Sequence, residues 1–347
     1  MPKILLLAKS PSPLHSTAKL NDMPLRVGIV TAAHLHVWSY IHGFRKHPET
    51  ELVGVWDHDE ARGKEFAAKT ELPFVDDLDA LLNQVDAVAI VSENKRHAEL
   101  TAKAAAKGKH VLCEKPLVTN EDEAKIMMEA VERSGIKLMT AFPCRYSPAF
   151  QRLIDRVKAG EIGKIRAICA TNRGRCPFGW FVEPEKSGGG AMIDHVVHVT
   201  DLLRVLLQEE PARVQAQIGN NVYGNEWDDT AMVTIEFPSG IFATLDSSWS
   251  RPATYKTWGD VTMNVVGENG VIELDMFGPA VDVYSLEGTT HTNAGYGSDL
   301  DAMLVEDFIR CVIDDTPSPI DLHAGLQAAR VAIAGYQSVR AAQPVAI

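Results

Sequence analysis

Between Leu25 and Ala141 the chain alternates short, apolar, β-branched runs with segments of helical composition, and this alternation restricts the possible folds most. Residues 25–30, 51–56, 86–91, 110–113 and 137–141 read as strands, and residues 37–44, 60–69, 98–107 and 120–134 as the helices between and beside them. Continuously apolar strands are buried on both faces, and parallel neighbours need a crossover of about a dozen residues or more. The pattern predicts an α/β domain with a doubly wound parallel sheet and helices on both faces.

Near Pro148 the pattern changes. A helix over 148–159 leads into strand-like runs at 165–171, 212–218, 230–237, 241–249, 261–266 and 270–276, joined by Pro- and Gly-containing turns. Such spacing predicts an α+β domain with a large, mostly antiparallel sheet. Helices over 300–314 and 323–342 close the chain. Its 347 residues, 46% of them hydrophobic, suit two cores. The expected division is a parallel-sheet domain at 24–147, a second, α+β domain at 148–320, and a terminal helix at 321–347 packing back on the body. Residues 1–23 are expected to be a disordered extension, because the apolar run at 4–8 is too short for a signal peptide.

The formal charge is −12 and no long basic run occurs, which argues against nucleic acid or an anionic membrane as the partner. No stretch approaches the roughly 20 apolar residues of a membrane span. Five scattered cysteines without a C-x-x-C pair suit reduced thiols and a cytoplasmic location. A small neutral or hydroxylated substrate fits this surface best.

Two motifs carry chemistry. Glu114-Lys115-Pro116 supplies an amine after a buried strand, and Gly188-Gly189-Gly190 precedes Asp194 and His198, four residues apart and therefore on one face of a helix. Together they can move a proton off a hydroxyl, and a nicotinamide can take the hydride. A dinucleotide-binding turn normally reads G-x-G-x-x-G, so that backbone N–H groups approach the pyrophosphate. Here the glycine slots fall on Thr31, Ala33 and His36. Thr31, Ala32, Ala33 and His34 are the expected cofactor loop, its small residues still allowing close approach and Thr31 adding a hydroxyl. Asp57, ending the second strand, is placed to accept from the adenosine ribose diol and to repel a 2′-phosphate, which favours NAD; capping of the following turn is the alternative.

His34, His36, His195 and His198 invite a metal site, but no H-E-x-x-H or C-x-x-C supports it and no metal is expected. His34 and His195 are expected to line the substrate pocket or make supporting hydrogen bonds. In the loop 173–181, Trp180 and its neighbouring arginines suit a sugar ring or a subunit contact equally. Trp227, Trp249 and Trp258 read as sheet or interface packing.

Taken together, Val27-Gly28-Ile29, Ser92-Glu93-Asn94 with His97, Glu114-Lys115-Pro116, Arg145-Tyr146, the triple glycine with Asp194 and His198, and the helix from Gly325 to Ser338 resemble the Gfo/Idh/MocA oxidoreductase family. The resemblance implies a Rossmann domain followed by an open-faced sheet domain, with the substrate held at the nicotinamide ring. It implies that Lys115 touches the substrate hydroxyl, with a Lys115–Pro116 bond that can be cis. Asp194 would hold the substrate, and His198 would exchange the proton. Ser92, Glu93, Asn94, His97, Glu114 and Arg145 would line the cofactor, with Arg145 also reaching substrate. The glycine-poor turn and Glu93, where proline is usual, depart from the family. Dimers or tetramers through the open sheet face are implied. The expected activity is NAD(H)-dependent oxidation or reduction at a secondary alcohol of a sugar, cyclitol or polyol. The alternatives are an NAD-dependent glycosidase using transient oxidation and a non-catalytic NAD-binding regulator.

Overall fold

The computed structural model describes residues 23–278, 280–285, 290–295 and 297–347; nearly all of the extension expected at 1–23 lies outside them. The chain forms two compact units: residues up to Leu117 with Asp122–Ala141 and Asp301–Ala324, and Val118–Glu121 with Phe142–Leu300 and Gly325–Ile347.

In the first unit the order is β1 (Leu25–Val30), α1 (Val37–Lys46), β2 (Thr50–Trp56), α2 (Glu60–Thr70), α3 (Leu78–Leu82), β3 (Ala87–Ile90), α4 (His97–Ala106), β4 (His110–Cys113), α5 (Glu121–Ser134) and β5 (Leu138–Thr140). The five strands pair in the order β2-β1-β3-β4-β5, all parallel. Every residue of β3 is buried, as its unbroken apolar sequence requires. Between β1 and β3 the crossovers leave in opposite directions, and such a switch point opens a crevice at the carboxyl ends of the strands. All the cofactor-loop residues named above follow those ends.

The second unit contains α6 (Pro148–Lys158), β6 (Ile165–Thr171), α7 (Pro184–Ser187), α8 (Ala191–Leu207), β7 (Arg213–Gly219), β8 (Thr230–Glu236), β9 (Phe242–Asp246), β10 (Thr262–Gly267), β11 (Val271–Asp275) and the hairpin β12 (Ala280–Ser285) and β13 (Thr290–Gly295). The closing elements are α9 (Leu300–Ile313), α10 (Leu322–Ala341) and β14 (Val345–Ala346). Seven strands form one sheet in the order β11-β10-β6-β9-β8-β7-β14, antiparallel except for β6 beside β9. Buried and exposed residues alternate along β8, so one face meets the core and the other is open. α8 is buried along nearly its whole length and packs against β8, which explains its apolar composition. On the open face the register aligns Val271, Val266, Ala167 and Phe242 into one cross-strand row.

One segment crosses the sequence-based division. α9 lies within the stretch expected to belong to the second domain, yet residues 301–324 cluster with the first unit. Its buried face carries Leu304, Val305, Phe308 and Ile309. Val305 fills the space that a side chain at Gly43 would occupy, and the Phe308 ring meets Phe44 edge-on at 6.3 Å. An apolar helix face packs wherever a complementary surface is available, and α1 supplies it here. The sequence pattern does not predict α3, β12, β13 or β14; α3 has five residues and β14 two, too short for a periodic signal.

Candidate active site

The β1–α1 loop keeps the backbone course of a glycine fingerprint without its glycines. Thr31, in the first glycine slot, has φ +65°, the left-handed region that a β-branched residue strongly disfavours. Its hydroxyl is buried and has no hydrogen-bond partner among the described residues. Most backbone donors of the loop are already engaged: Thr31 N–H donates to Trp56 O, Ala32 N–H to Asp57, His34 N–H to Val91 O and His36 N–H to the His34 Nδ1.

Asp57 is buried at the end of β2 and accepts from the Ala32 N–H (2.9 Å), the Asp59 N–H (2.9 Å) and both Nε and an Nη of Arg62 (2.8 and 2.7 Å). The turn-capping alternative is thus realised, and the carboxylate is neutralised by a guanidinium that sequence reasoning does not single out. This corrects the electrostatic argument for NAD over NADP, because Asp57 does not present an unpaired charge to a 2′-phosphate. Arg62 also reaches Glu93 at 3.0 Å. Burial opposes ionisation of Glu93, but hydrogen bonding from His58 and the charge of Arg62 outweigh it and bring its pKa down to about 2. The expected cofactor residue Glu93 therefore ties the β3 loop to α2.

Ser92, Asn94 and His97 are all buried. The Ser92 hydroxyl donates to Glu93 O. The His97 ring lies 2.8 Å from Pro116 O and 3.2 Å from Ser92 O, and burial lowers its pKa. This histidine braces the Lys115–Pro116 segment. The Lys115–Pro116 bond is cis. Lys115 follows β4 and is 5% exposed.

Glu114 is fully buried and receives the Tyr40 hydroxyl and the His36 Nδ1 on Oε1, and the Lys115 N–H on Oε2. Burial disfavours its charge, yet His34 and His36 hold its pKa well below the usual carboxylate range. For His36 burial works against the imidazolium, but the charge and hydrogen bond of Glu114 prevail and its pKa is raised. Ligand-type atoms of His34, His36 and Glu114 lie within 4.8 Å of one another, a spacing that could hold a metal ion. Hydrogen bonds already account for the arrangement: His36 Nδ1 faces Glu114 at 2.9 Å, and His34 Nδ1 accepts from the backbone.

In the second unit Asp194 and His198 share a face of α8 as their spacing predicts. Asp194 is 5% exposed and its Oδ2 accepts from the Trp249 indole at 3.1 Å, with the His195 Nε2 at 3.3 Å. Trp249, expected as sheet packing, is fully buried and also holds this carboxylate. His198 is half-buried, with Cys144 Sγ 4.0 Å from its Nδ1 and the Phe142 ring edge-on. Trp180 stacks on Phe181 at 3.9 Å within a cluster that includes Cys176, Ala191 and Trp249. Arg145 is 2% exposed and grips Asp201 with Nε and Nη2 at 2.6 and 2.5 Å. That buried ion pair ties Arg145 to α8.

The triple glycine makes room for other parts of the protein. A side chain at Gly188 would strike Thr119, one at Gly189 the Tyr336 hydroxyl, and one at Gly190 the backbone carbonyl of Asp228. Asp228 closes the start of α8 by accepting from Gly190 N–H at 3.0 Å and Met192 N–H at 2.8 Å, and Tyr336 donates to it at 2.8 Å. Burial raises the pKa of Asp228 in spite of these donors.

Comparison with known proteins adds the family. Residues 25–142 match the oxidoreductase family with an NAD-binding Rossmann fold, and residues 150–273 match the GFO/IDH/MocA C-terminal domain. Over 318 residues the chain is 29% identical to D-xylose 1-dehydrogenase (NADP(+)) 2 of Haloferax volcanii, covering 90% of this chain and 96% of that protein. It is 33% identical over 193 residues to scyllo-inositol 2-dehydrogenase (NAD(+)) of Bacillus subtilis, 54% of each. The structure of GenD2 from gentamicin A biosynthesis, solved with NAD, superposes with a TM-score of 0.86 over 98% of this chain and 99% of GenD2, at 22% identity. Matched in sequence order by both domains of one family, the chain belongs to the Gfo/Idh/MocA oxidoreductases and is an NAD-binding enzyme of that family.

Proposed function

We propose that this enzyme transfers hydride between NAD(H) and a secondary alcohol of a sugar, cyclitol or related polyol. The observation that carries the reading is the joint presence, in a member of this family, of Lys115 at the end of β4 and the Asp194–His198 pair on α8. Relatives named as xylose and inositol dehydrogenases support the substrate class.

The residues of the first unit fit the cofactor: a buried Thr31 hydroxyl without a partner among the described residues lies in the loop before α1, at the switch point of a parallel sheet. When bound, the nicotinamide supplies the hydride acceptor or donor. Lys115 donates to the reacting hydroxyl and steadies its oxygen. Asp194, aimed by the Trp249 indole, accepts from a substrate hydroxyl and fixes which carbon reacts. His198 takes the hydroxyl proton in oxidation and returns it in reduction, a task for which imidazole is suited because it ordinarily titrates near neutrality.

Purified protein mixed with NAD⁺ and a panel of polyols, aldoses and glycosides should accumulate NADH with one class of free polyol or sugar. Lys115→Ala should lower kcat by about 10²–10⁴-fold. Sugar release without net NADH would replace this reading with the glycosidase, and bound NAD without turnover of any of these would favour the regulator.

A homodimer or homotetramer in the cytoplasm completes the proposal. The open sheet face supports it, with Phe242, Val266 and Val271 in the cross-strand row exposed by 46%, 40% and 56%. Contiguous apolar surface of this kind marks association. Light scattering should return two or four times 38.0 kDa, and a monomer across all concentrations would remove the oligomer.

A further inference from the structure

We propose that His36, through its Nε2–H, is a direct ligand of the cofactor diphosphate and makes dinucleotide binding proton-linked. This rests on the NAD use stated above and concerns how this chain achieves it without the usual glycines. In a glycine fingerprint, backbone N–H groups and the start of the following helix receive the diphosphate. Here the N–H groups of Thr31, Ala32, His34 and His36 donate within the protein. Fewer backbone donors are therefore left for a diphosphate than in a loop whose N–H groups are all open.

His36 stands in the third glycine slot, immediately before Val37, as the N-cap of the ten-residue α1. It makes no side-chain cap bond, and no acidic residue occupies the first turn. Its ring is 24% exposed, whereas its partner Glu114 is fully buried. The Thr31 hydroxyl, buried and without a partner among the described residues, offers a second donor in the same loop.

The hydrogen bond to Glu114 decides the chemistry of the ring. A buried carboxylate accepts, so Nδ1 carries a hydrogen and the remaining proton question is at Nε2. In neutral His36, Nε2 is a lone pair that repels a phosphate oxygen. In the imidazolium it is an N–H that donates to one with charge assistance. Binding the dianionic diphosphate thus draws a proton onto His36. The charged and titratable groups facing this ring are Glu114 and Lys115 after β4, His34 in the loop, Tyr40 on α1 and Asp301 on α9. The acidic pair, Glu114 and Asp301, favours the imidazolium; Lys115 opposes it.

The sign follows by linkage. Protonated His36 binds more tightly, so affinity is full below its free-protein pKa and falls as pH rises through it, until the pKa of the complex is passed. The ligand to use is ADP-ribose, which retains the diphosphate, lacks the nicotinamide and has no group of its own titrating in the range.

Isothermal calorimetry with ADP-ribose and NADH, in the presence of EDTA, should show Kd rising about tenfold from about pH 6 to about pH 9. In buffers of different ionisation enthalpy, wild-type protein should take up a fraction of a proton on binding. His36→Gln should bind ADP-ribose more weakly at the acid end and without pH dependence. His36→Gln combined with Glu114→Gln gives the same test without a lone buried carboxylate, should the single variant fold poorly. A pH-independent wild-type Kd without proton uptake, or a pH slope that survives in either variant, overturns the proposal while leaving NAD use intact. Absence of ADP-ribose and NADH binding at every pH overturns both.

Discussion

The helices α1 and α8 begin in opposite ways. Both present the positive end of a helix dipole and unsatisfied N–H groups near residues expected to be functional. At α8 the chain closes that end with its own groups: Asp228 accepts from Gly190 and Met192, Asp194 sits in the first turn, and Tyr336 packs over Gly189. At α1 no carboxylate enters the first turn and the N-cap is an imidazole. Glu114, which follows β4, accepts from the Nδ1 of that imidazole and from the Tyr40 hydroxyl on α1. A helix start already neutralised serves the fold, and one left electropositive serves an incoming anion. Glycine content points the other way at both places, so counting glycines is a poor guide to which loop binds a ligand.

The largest effect belongs to Gly190. A Cβ there would land within bonding range of the Asp228 carbonyl, which is backbone and also receives the Ala191 N–H at 2.8 Å. Neither group can withdraw without opening the α8 cap. Gly190→Ala should therefore cost about 3 kcal/mol or more, or prevent folding. Chemical denaturation reads this directly, and an unchanged midpoint would mean that the close packing around the glycine run is not what requires glycine.

Much of the scaffold is legible in the amino-acid sequence. β1 at 25–30, β4 at 110–113 and β6 at 165–171 have the limits that their apolar runs suggest, because burial on both faces, or alternation on one, writes itself into local sequence. The positions of Lys115, Asp194 and His198 follow from strand ends and helical spacing in the same way. What local sequence does not contain is the partner across the chain. Arg145 and Asp201 are 56 residues apart, Trp249 and Asp194 are 55 apart, and Glu93 and Arg62 are 31 apart. Each of these pairs adds a tie that local sequence does not show: Arg145 and Glu93 gain ion-pair partners, and Trp249 supports Asp194. A charged residue on an amphipathic helix, such as Arg62, reads as solvated until its acceptors are in place.

The smallest effect tests the other side of the comparison, and it has two parts of opposite sign. Thr31 holds φ +65° with a branched side chain, a conformation that costs about 1–2 kcal/mol, and buries a hydroxyl without a partner among the described residues, which costs about 1 kcal/mol more. Thr31→Gly removes both penalties and adds back about 0.5–1 kcal/mol of unfolded-state entropy. The ligand-free variant should therefore gain about 1–2 kcal/mol in chemical denaturation. If the hydroxyl is kept for the diphosphate, the same variant should bind ADP-ribose a few-fold more weakly despite its restored glycine. A gain in stability with unchanged affinity would make Thr31 a tolerated replacement with no ligand role, whereas a gain in stability with a loss of affinity would identify strain maintained at this loop for binding. The sign at Gly190 is fixed by packing alone; at Thr31 it depends on whether ligand is present, which is the distinction between a helix start closed by the chain and one left for an anion.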